Sequence, residues 1–418
     1  MKTILISAYA LSPSKGSEFN VGWEFVRRLS IKNRIIVLYG VSGEHMGDTS
    51  EVDRFFDNNK SNNIVPIKVC PPMISRAFNI LNKKGLNYAF YIAFNFWQRE
   101  AYKQALKVVD LYDVDIIHQL NPIGFREPGY LWKIPRPHVW GPIGGANYVK
   151  LALLKPQPLK AKLTFFIKNI VNYFQINFSR RVKVALSNSD VVVFCNNENK
   201  KNLFNKNIQK SMVLSEQSCS NSDFSLRGEN NRFRKSKLEL VVVGSLFYRK
   251  NLKFIIDVLS SLNEEIQLCL NIVGDGHLKD ELIQYSITKG VSHLIVWHGN
   301  ISRDDVMELM KQCDLHCLCS LSEANTTVVY EAFSIGLPTI SLKQNGMSDT
   351  LADGMGFLVD IENYELTISN YASKVKEIYF NRHLLNCCSD LIFNNIDTLE
   401  WDAKINSFNK IYDELLAE

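Results

Sequence analysis

Two glutamates that follow an apolar run are the residues of this sequence best placed to do chemistry. Glu323 and Glu331 lie in the segment 322–339, directly after the apolar run 315–321. An apolar run, a polar turn and a Gly-Leu-Pro stop at 336–338 predict a strand that passes through a turn into a helix. Open α/β sheets bind ligands at this edge, where the strands end.

A helix N-terminus at this position predicts a site for a phosphate flanked by hydroxyl groups. Backbone N–H groups at Asn325, Thr326 and Thr327 would hold the phosphate, while the glutamates accept hydrogen bonds from a sugar and a ribose. The alternative is the acid and base of a glycosidase, whose carboxyl groups lie about 5 to 9.5 Å apart. A wholly helical segment would separate the two glutamates by about 12 Å, so the spacing favours binding over hydrolysis.

The pattern of a glutamate, seven residues, Glu-Ala and then Gly-x-Pro resembles the signature of retaining glycosyltransferase family 4. The resemblance implies the GT-B fold, in which Glu331 binds the donor ribose and Glu323 meets the transferred sugar. Ala324 and Asn325 stand where the family has Phe-Gly, a difference that bears on the identity of the sugar.

A turn after the predicted strand 238–243 supplies two cations. In the family, an Arg directly after Gly244 and a Lys five residues further on bind the donor diphosphate. Lys250 matches that Lys, Ser245 replaces the Arg, and Arg249 is a neighbouring candidate. Cations on a leaving diphosphate would stabilise the charge that develops in the transition state. A similar turn, which opens at Gly274, is also predicted to face the donor.

The N-terminal segment resembles the first unit of a Rossmann-like domain, with a strand at 3–8, a loop containing Gly16 and a helix at 20–30. We expect Gly16 to allow close backbone approach. The resemblance places this loop near the donor phosphates and the acceptor, which Ser17 and Glu18 would contact. No Gly-x-Gly-x-x-Gly follows any strand, which weighs against an NAD enzyme.

Further candidates follow later strands of the first half. His118 is predicted to end the strand 114–118 on the ligand side, and the resemblance implies that it touches the donor sugar. Arg126, Gly144 and Gly145 lie in loops at the same edge and are candidate acceptor contacts.

Neither a metal nor a cofactor is expected. Asp113 and Asp115 have the spacing that the other glycosyltransferase fold uses for Mn²⁺, but they precede a strand, at the end away from the ligand edge. We therefore interpret them as part of a turn.

Length and pattern predict an α/β protein of two Rossmann-like parallel-sheet domains that face a central cleft. A chain of 418 residues is too long for one ordinary core. We expect an acceptor-binding domain at 1–220, a hinge at 218–237 and a nucleotide-sugar-binding domain at 236–398. A C-terminal helix at 399–418 would cross back to the first domain.

Composition predicts a cytoplasmic protein. The nine cysteines are odd in number and include no Cys-x-x-Cys pair, which favours reduced thiols. The N-terminal apolar run is too short for a signal peptide, and nowhere do 18 apolar residues follow one another.

The formal net charge of +5 is unevenly spread, because the first 200 residues are basic and the remainder is acidic. No nucleic-acid-binding signature accompanies this charge. Basic, aromatic runs at 74–99 and 160–183 are compatible with contact to anionic lipid at the inner face of the cytoplasmic membrane. The alternative, which we favour for 160–183, is a helix packed on its own domain.

Together with these patterns, the family resemblance implies a retaining, metal-independent glycosyltransferase. It would move a sugar from a nucleotide-diphosphate donor to a glycan or lipid-linked acceptor, in cell-surface polysaccharide biosynthesis. The alternatives are a nucleotide-sugar epimerase or phosphorylase of the same fold, or a sugar-nucleotide binding protein that has lost catalysis.

Overall fold

The computed structural model describes residues 1–59, 61–86, 88–204, 208–220, 224–226, 233, 235–262 and 265–417. Within these ranges thirteen strands form two sheets, and every pair of neighbouring strands is parallel. The strands are β1 (Thr3–Ala8), β2 (Arg34–Tyr39), β3 (Ile64–Lys68), β4 (Ile116–Asn121), β5 (His138–Ile143), β6 (Val191–Phe194), β7 (Lys210–Val213), β8 (Leu238–Val243), β9 (Leu268–Val273), β10 (Ile295–Gly299), β11 (Leu315–Leu318), β12 (Thr339–Leu342) and β13 (Phe357–Val359).

Helices connect most of these strands. Over the same described ranges they are α1 (Glu18–Leu29), α2 (Ser50–Asn58), α3 (Met73–Lys83), α4 (Ala89–Leu111), α5 (Leu159–Phe178), α6 (Arg180–Asn188), α7 (Asn197–Leu203), α8 (Leu252–Leu262), α9 (Lys279–Thr288), α10 (Arg303–Gln312), α11 (Thr327–Ser334), α12 (Met347–Thr350), α13 (Tyr364–Phe380), α14 (His383–Leu399) and α15 (Trp401–Ala417).

Both sheets change direction at a central pair of strands. The first has the order β3-β2-β1-β4-β5-β6-β7, and the second has the order β10-β9-β8-β11-β12-β13. In each sheet the chain first adds two strands on one side of its first strand, and then adds the remaining strands on the other side. The loops after β1 and β4, and those after β8 and β11, therefore diverge at a point where such sheets bind ligands.

The strands are apolar because both faces of each sheet are covered. Every residue of β4, β5 and β9 is buried, as is typical of strands in parallel sheets. Three predicted strands, at 3–8, 34–39 and 238–243, match β1, β2 and β8 residue for residue.

The chain divides into two compact units. The first contains residues 1–146, 173–216 and 401–418, and the second contains 147–172 and 217–400. Most of this division follows the predicted one, but 147–172 belongs to the second unit, because Val149, Leu153 and Leu154 pack in its core. Half of the hinge predicted at 218–237 lies outside the described residues.

The C-terminal helix α15 returns to the first unit, as predicted. It packs on α1, where the ring of Phe25 lies 5.7 Å from that of Trp401 and 4.9 Å from that of Phe408. The helix begins at Trp401 rather than at residue 399, because Leu399 ends α14 and Glu400 adopts an extended conformation.

Two helices occupy the region between β3 and β4: α3 ends at Lys83 and α4 begins at Ala89. Gly85, with a φ of 100°, follows the end of α3, and this left-handed conformation is a common stop for helices. None of the nine cysteines, all of which lie in the described ranges, forms a disulfide.

Candidate functional site

Glycines shape the turn after β8 in the second unit. Gly244 has a φ of 146°, and a Cβ atom there would lie 3.0 Å from Cε of Lys250. Gly274, at the end of β9, has a φ of 126°, and its Cβ would lie 2.2 Å from the carbonyl oxygen of Gly244. The two turns therefore pack closely, and the Lys250 side chain lies across a position with no room for another side chain.

The two predicted cationic side chains, those of Lys250 and Arg249, both contact Glu323. Nζ of Lys250 lies 2.8 Å from Oε1 of Glu323, and each of these side chains is 12% exposed. Arg249 forms an ion pair with the same oxygen and also donates to the carbonyl oxygen of Ser322 over 3.3 Å. The N–H of Leu321 donates to the carbonyl oxygen of Arg249 over 2.8 Å. This contact between distant segments follows from the pairing of β8 with β11.

The Glu323 carboxylate is held in its ionised form. Burial alone would raise the pKa of Glu323, but Lys250 and Arg249 outweigh that effect and lower the pKa. The ionised carboxylate of Glu323 therefore pairs with the two cations that the sequence analysis assigns to a diphosphate.

Glu331 lies on α11 and pairs with Arg303, the first residue of α10. Nη2 of Arg303 lies 3.0 Å from Oε1 of Glu331, whose side chain is 18% exposed. Burial raises the pKa of Glu331, and Arg303 offsets this only in part. The sequence analysis did not single out Arg303 as a site residue. The residue before it, Ser302, caps α10 by accepting from the N–H of Asp305.

The helix that follows Glu323 begins only at Thr327. The separation of about 12 Å expected for a wholly helical segment 323–331 therefore does not apply. Asn325 and Thr326 are buried, and Oδ1 of Asn325 accepts from the hydroxyl of Thr350 over 3.1 Å. The N-cap Thr326 makes no side-chain cap.

Two residues that were not predicted site residues, Asn147 and Lys168, contact Ser322, which directly precedes Glu323. The hydroxyl of Ser322 accepts from Nζ of Lys168 over 3.2 Å and from the amide of Asn147 over 3.1 Å. Both donors belong to the segment 147–172, which the sequence analysis placed in the other domain.

Four predicted acceptor residues cluster in the first unit, at the point where β1 and β4 adjoin. Oε1 of Glu18 accepts from the N–H of Ile123 over 3.2 Å, and Gly144 donates to the carbonyl oxygen of Ile123 over 2.7 Å. Arg126 donates to the carbonyl oxygen of Gly145 over 3.4 Å. Burial raises the pKa of Glu18, which favours the protonated form of this carboxyl group.

Gly16 does not make the close backbone approach that was expected of it. A Cβ atom there would have no neighbour within 4 Å. Gly22 makes the close approach instead, since its Cβ would lie 2.4 Å from the carbonyl oxygen of Ala10. Ser17, directly before α1, has a left-handed φ of 58°.

His118 is not placed where a donor sugar could touch it. It lies within β4 rather than at its end, because the strand continues to Asn121, and its side chain is fully buried. One ring nitrogen bonds the carbonyl oxygen of Gly141 over 2.7 Å, and the other bonds the hydroxyl of Tyr412 over 2.7 Å. Burial lowers the pKa of His118 to about 4. The ring is therefore a neutral part of the core beneath α15.

The Asp-x-Asp pair forms a turn, as interpreted. Asp113 has a φ of 50°, and Oδ2 of Asp115 accepts from the N–H of Thr3 over 2.7 Å. Among the described residues, no group of three or more His, Cys, Asp or Glu side chains is arranged to hold a metal ion. No helix in the described part of the chain combines the length and hydropathy needed to span a membrane.

Comparison with known proteins identifies a family model, a relative and solved structures similar to this chain. Residues 226–382, which contain the Lys250–Glu323 pair and Glu331, match the family model described as glycosyl transferases group 1. The chain carries a glycosyltransferase domain. An uncharacterised glycosyltransferase of Methanocaldococcus jannaschii is 21% identical over 317 residues, which are 75% of this chain and 80% of the relative.

Solved structures resemble the whole chain. WaaG, described as a glycosyltransferase involved in lipopolysaccharide biosynthesis, has a TM-score of 0.58 at 15% identity, covering 98% of this chain and 99% of its own. HepE of Anabaena, in complex with UDP and glucose, has a TM-score of 0.59 at 14% identity, covering 99% of this chain and 100% of its own. The fold of this glycosyltransferase chain is GT-B, as predicted.

Proposed function

We propose that this chain is a retaining, metal-independent glycosyltransferase of family 4 that uses a nucleotide-diphosphate sugar. The observation that carries the proposal is the contact of Lys250 and Arg249 with Glu323 at the point where β8 and β11 adjoin. A diphosphate would bind the two cations, Glu323 would turn to the sugar, and Glu331 would bind the ribose. HepE supports a nucleotide sugar as donor, since its solved complexes include one with UDP-glucose.

The proposed reaction is a front-face displacement. The acceptor hydroxyl oxygen forms a bond to the anomeric carbon while the bond from that carbon to the diphosphate breaks. The hydroxyl proton passes to an oxygen of the departing phosphate, so no protein base is needed. Lys250 and Arg249 stabilise the charge that develops on the diphosphate. Attack from the side that the diphosphate leaves gives retention of configuration.

The acceptor is proposed to bind the cluster of the first unit formed by Glu18, Arg126, Gly144 and Gly145. A glycan or a lipid-linked glycan fits the proposed role in cell-surface polysaccharide biosynthesis. WaaG supports this role by its described part in lipopolysaccharide biosynthesis. We place the enzyme in the cytoplasm, in peripheral contact with the anionic inner face of the membrane.

A panel of radiolabelled nucleotide sugars, incubated with membrane extracts as a source of acceptor, tests this function. We expect one donor to be consumed, with its label transferred to an extractable product and with no effect of EDTA. Lys250→Ala should abolish most of that transfer. An epimerised nucleotide sugar or a free sugar phosphate would identify an epimerase or a phosphorylase instead. Donor binding with no consumption of any panel member would identify a binding protein.

A further inference from the structure

Helix α5 leaves a broad apolar side exposed, while its inward side combines polar residues with the partly buried Phe165 and Ile176. Only Ala161 and Asn172 of this helix are buried. Within the second unit, the exposed large apolar side chains of α5 are each 41–79% exposed, and they are Leu159, Leu163, Phe166, Ile167 and Ile170. With 3.6 residues per turn, these positions form a continuous stripe about 100° wide. A helix packed only on its own domain would show the opposite arrangement.

Polar contacts fix this orientation within the second unit. The amide of Asn169 both accepts from and donates to the backbone of Val149, over 2.9 and 2.8 Å. Asn172 donates to the carbonyl oxygen of Asn147 over 2.8 Å, and Lys168 donates to the hydroxyl of Ser322 over 3.2 Å. The helix cannot turn its apolar side inward without breaking this set of hydrogen bonds.

The sequence around the stripe is rich in positive charge, although Glu365 pairs with Lys155 and Glu127 pairs with Arg181. From residue 128 to residue 189 the sequence contains no Asp or Glu. Residues 147–183 contain eight Lys and Arg residues. At 100° per residue, Lys160 and Lys162 fall on the two borders of the apolar stripe. Long basic side chains at such borders can keep their charged ends at a polar surface while their stems lie along apolar groups.

A cavity of about 390 Å³ opens at the start of the stripe. Its apolar lining comes from Leu151, Leu154, Leu159, Leu163 and Phe166, and two lysines, Lys155 and Lys162, also line it. Lys155 also forms an ion pair with Glu365. Apolar walls beside the ammonium group of Lys162 suit a molecule with an acyl chain and an anionic head.

We propose that the exposed face of α5 docks on an anionic lipid bilayer. The apolar stripe enters the boundary between head groups and acyl chains, and Lys160 and Lys162 contact lipid phosphates. The excess of basic residues in 147–183 favours anionic lipid over a second copy of this chain, which would bring the same positive charge. This inference rests on the proposed function for its biological role, because it assigns a surface to the peripheral membrane contact. This docking role differs from the interpretation favoured from the sequence, in which 160–183 is a helix packed on its own domain.

Cosedimentation with vesicles tests the proposal without any donor or acceptor. The variant Leu163→Ser/Phe166→Ser removes two side chains of the stripe. Its matched control, Ile287→Ser/Phe380→Ser, removes two exposed apolar side chains elsewhere in the second unit. We expect the wild type and the control to bind vesicles of phosphatidylglycerol and phosphatidylcholine, less so at high salt. The α5 variant should partition at least about tenfold more weakly, given the apolar area it loses.

The outcomes separate this proposal from the proposed function. Lys250→Ala should bind vesicles like the wild type even though it loses transfer. Equal vesicle binding by the α5 variant and its control, or equal binding to pure phosphatidylcholine, would overturn the docking proposal. So would a wild-type dimer in light scattering that the α5 variant alone dissociates, because it would assign the stripe to a second copy. None of these results would alter the test of transfer.

Discussion

Nζ of Lys250 lies 2.8 Å from Oε1 of Glu323, although 73 residues separate the two in sequence. Arg249 contacts the same carboxylate, so one buried anion satisfies two cations. A donor diphosphate that bound these cations would displace Glu323, and the freed carboxylate would become available to sugar hydroxyls. Donor binding and the positioning of Glu323 are thus coupled.

Lys250→Ala should lower turnover at least about a hundredfold, the scale of one lost electrostatic donor in a transition state. Lys374→Ala, which removes a lysine from α13 of the same unit, is the matched control. Initial rates and thermal unfolding of both variants check this. Turnover of Lys250→Ala within a few-fold of the control would contradict the role of Lys250.

Glu331→Ala should weaken nucleotide-sugar binding by about 1 to 3 kcal/mol, because ribose hydroxyls would lose their acceptor. Calorimetric titration measures this effect. Arg303→Ala provides the comparison: it removes the guanidinium that competes for Glu331, so its donor affinity should equal or exceed that of the wild type. If Arg303→Ala lost affinity while Glu331→Ala did not, the assignment of the ribose contact would be wrong.

Tyr412→Phe should destabilise the first unit without changing donor affinity. A carbonyl oxygen only accepts, so Nε2 of His118 must donate to Gly141, and in the neutral ring Nδ1 accepts from Tyr412. Loss of that hydroxyl leaves a buried nitrogen unpaired, at a cost of about 1 to 3 kcal/mol. Urea unfolding measures the cost. Unchanged stability together with weakened donor binding would return His118 to the donor site.

Stability should fall as the pH drops below about 6.5. Burial lowers the pKa of His118 to about 4 and those of His138 and His316 to about 3, whereas 6.5 is their ordinary value. Between these values the unfolded chain binds more protons than the folded chain, so protonation favours unfolding. The stability from these groups is complete above pH 6.5 and is lost towards pH 3. Urea midpoints that do not change between pH 7 and pH 5 would contradict this.

Gly274→Ala should cost stability and activity, while Gly16→Ala should leave stability unchanged. Gly274 has a left-handed φ, and its Cβ would collide with the backbone of Gly244. Backbone strain of this kind costs about 1 to 3 kcal/mol. A Cβ at Gly16 meets nothing within 4 Å. Equal melting temperatures for the two variants would show that the turns after β8 and β9 are not closely packed.

The structural features that the sequence predicted correctly are those that depend on local pattern. The strand, turn and helix around Glu323, and the turn that carries Lys250, are each set by an apolar run followed by glycine and polar residues. Their convergence on one sheet edge follows once both strands are assigned to a parallel sheet.

The errors concern contacts between segments far apart in sequence. The local sequence placed His118 at the ligand edge. Its burial depends on Tyr412, which lies 294 residues away in sequence and therefore leaves no signal near His118. The pairing of Arg303 with Glu331 depends on how α10 and α11 lie on the sheet. The segment 147–172 joined the second unit because its leucines fill that core, which no periodicity in the segment reveals.

Proton NMR of the transfer reaction tests the central claim most directly. Once a donor from the radiolabelled panel is identified, its anomeric signal and that of the first product can be followed during turnover. Our account predicts that the first product has the anomeric configuration of the donor and that Lys250→Ala slows its appearance without changing it. A first product of inverted configuration would contradict front-face displacement at the Lys250–Glu323 site.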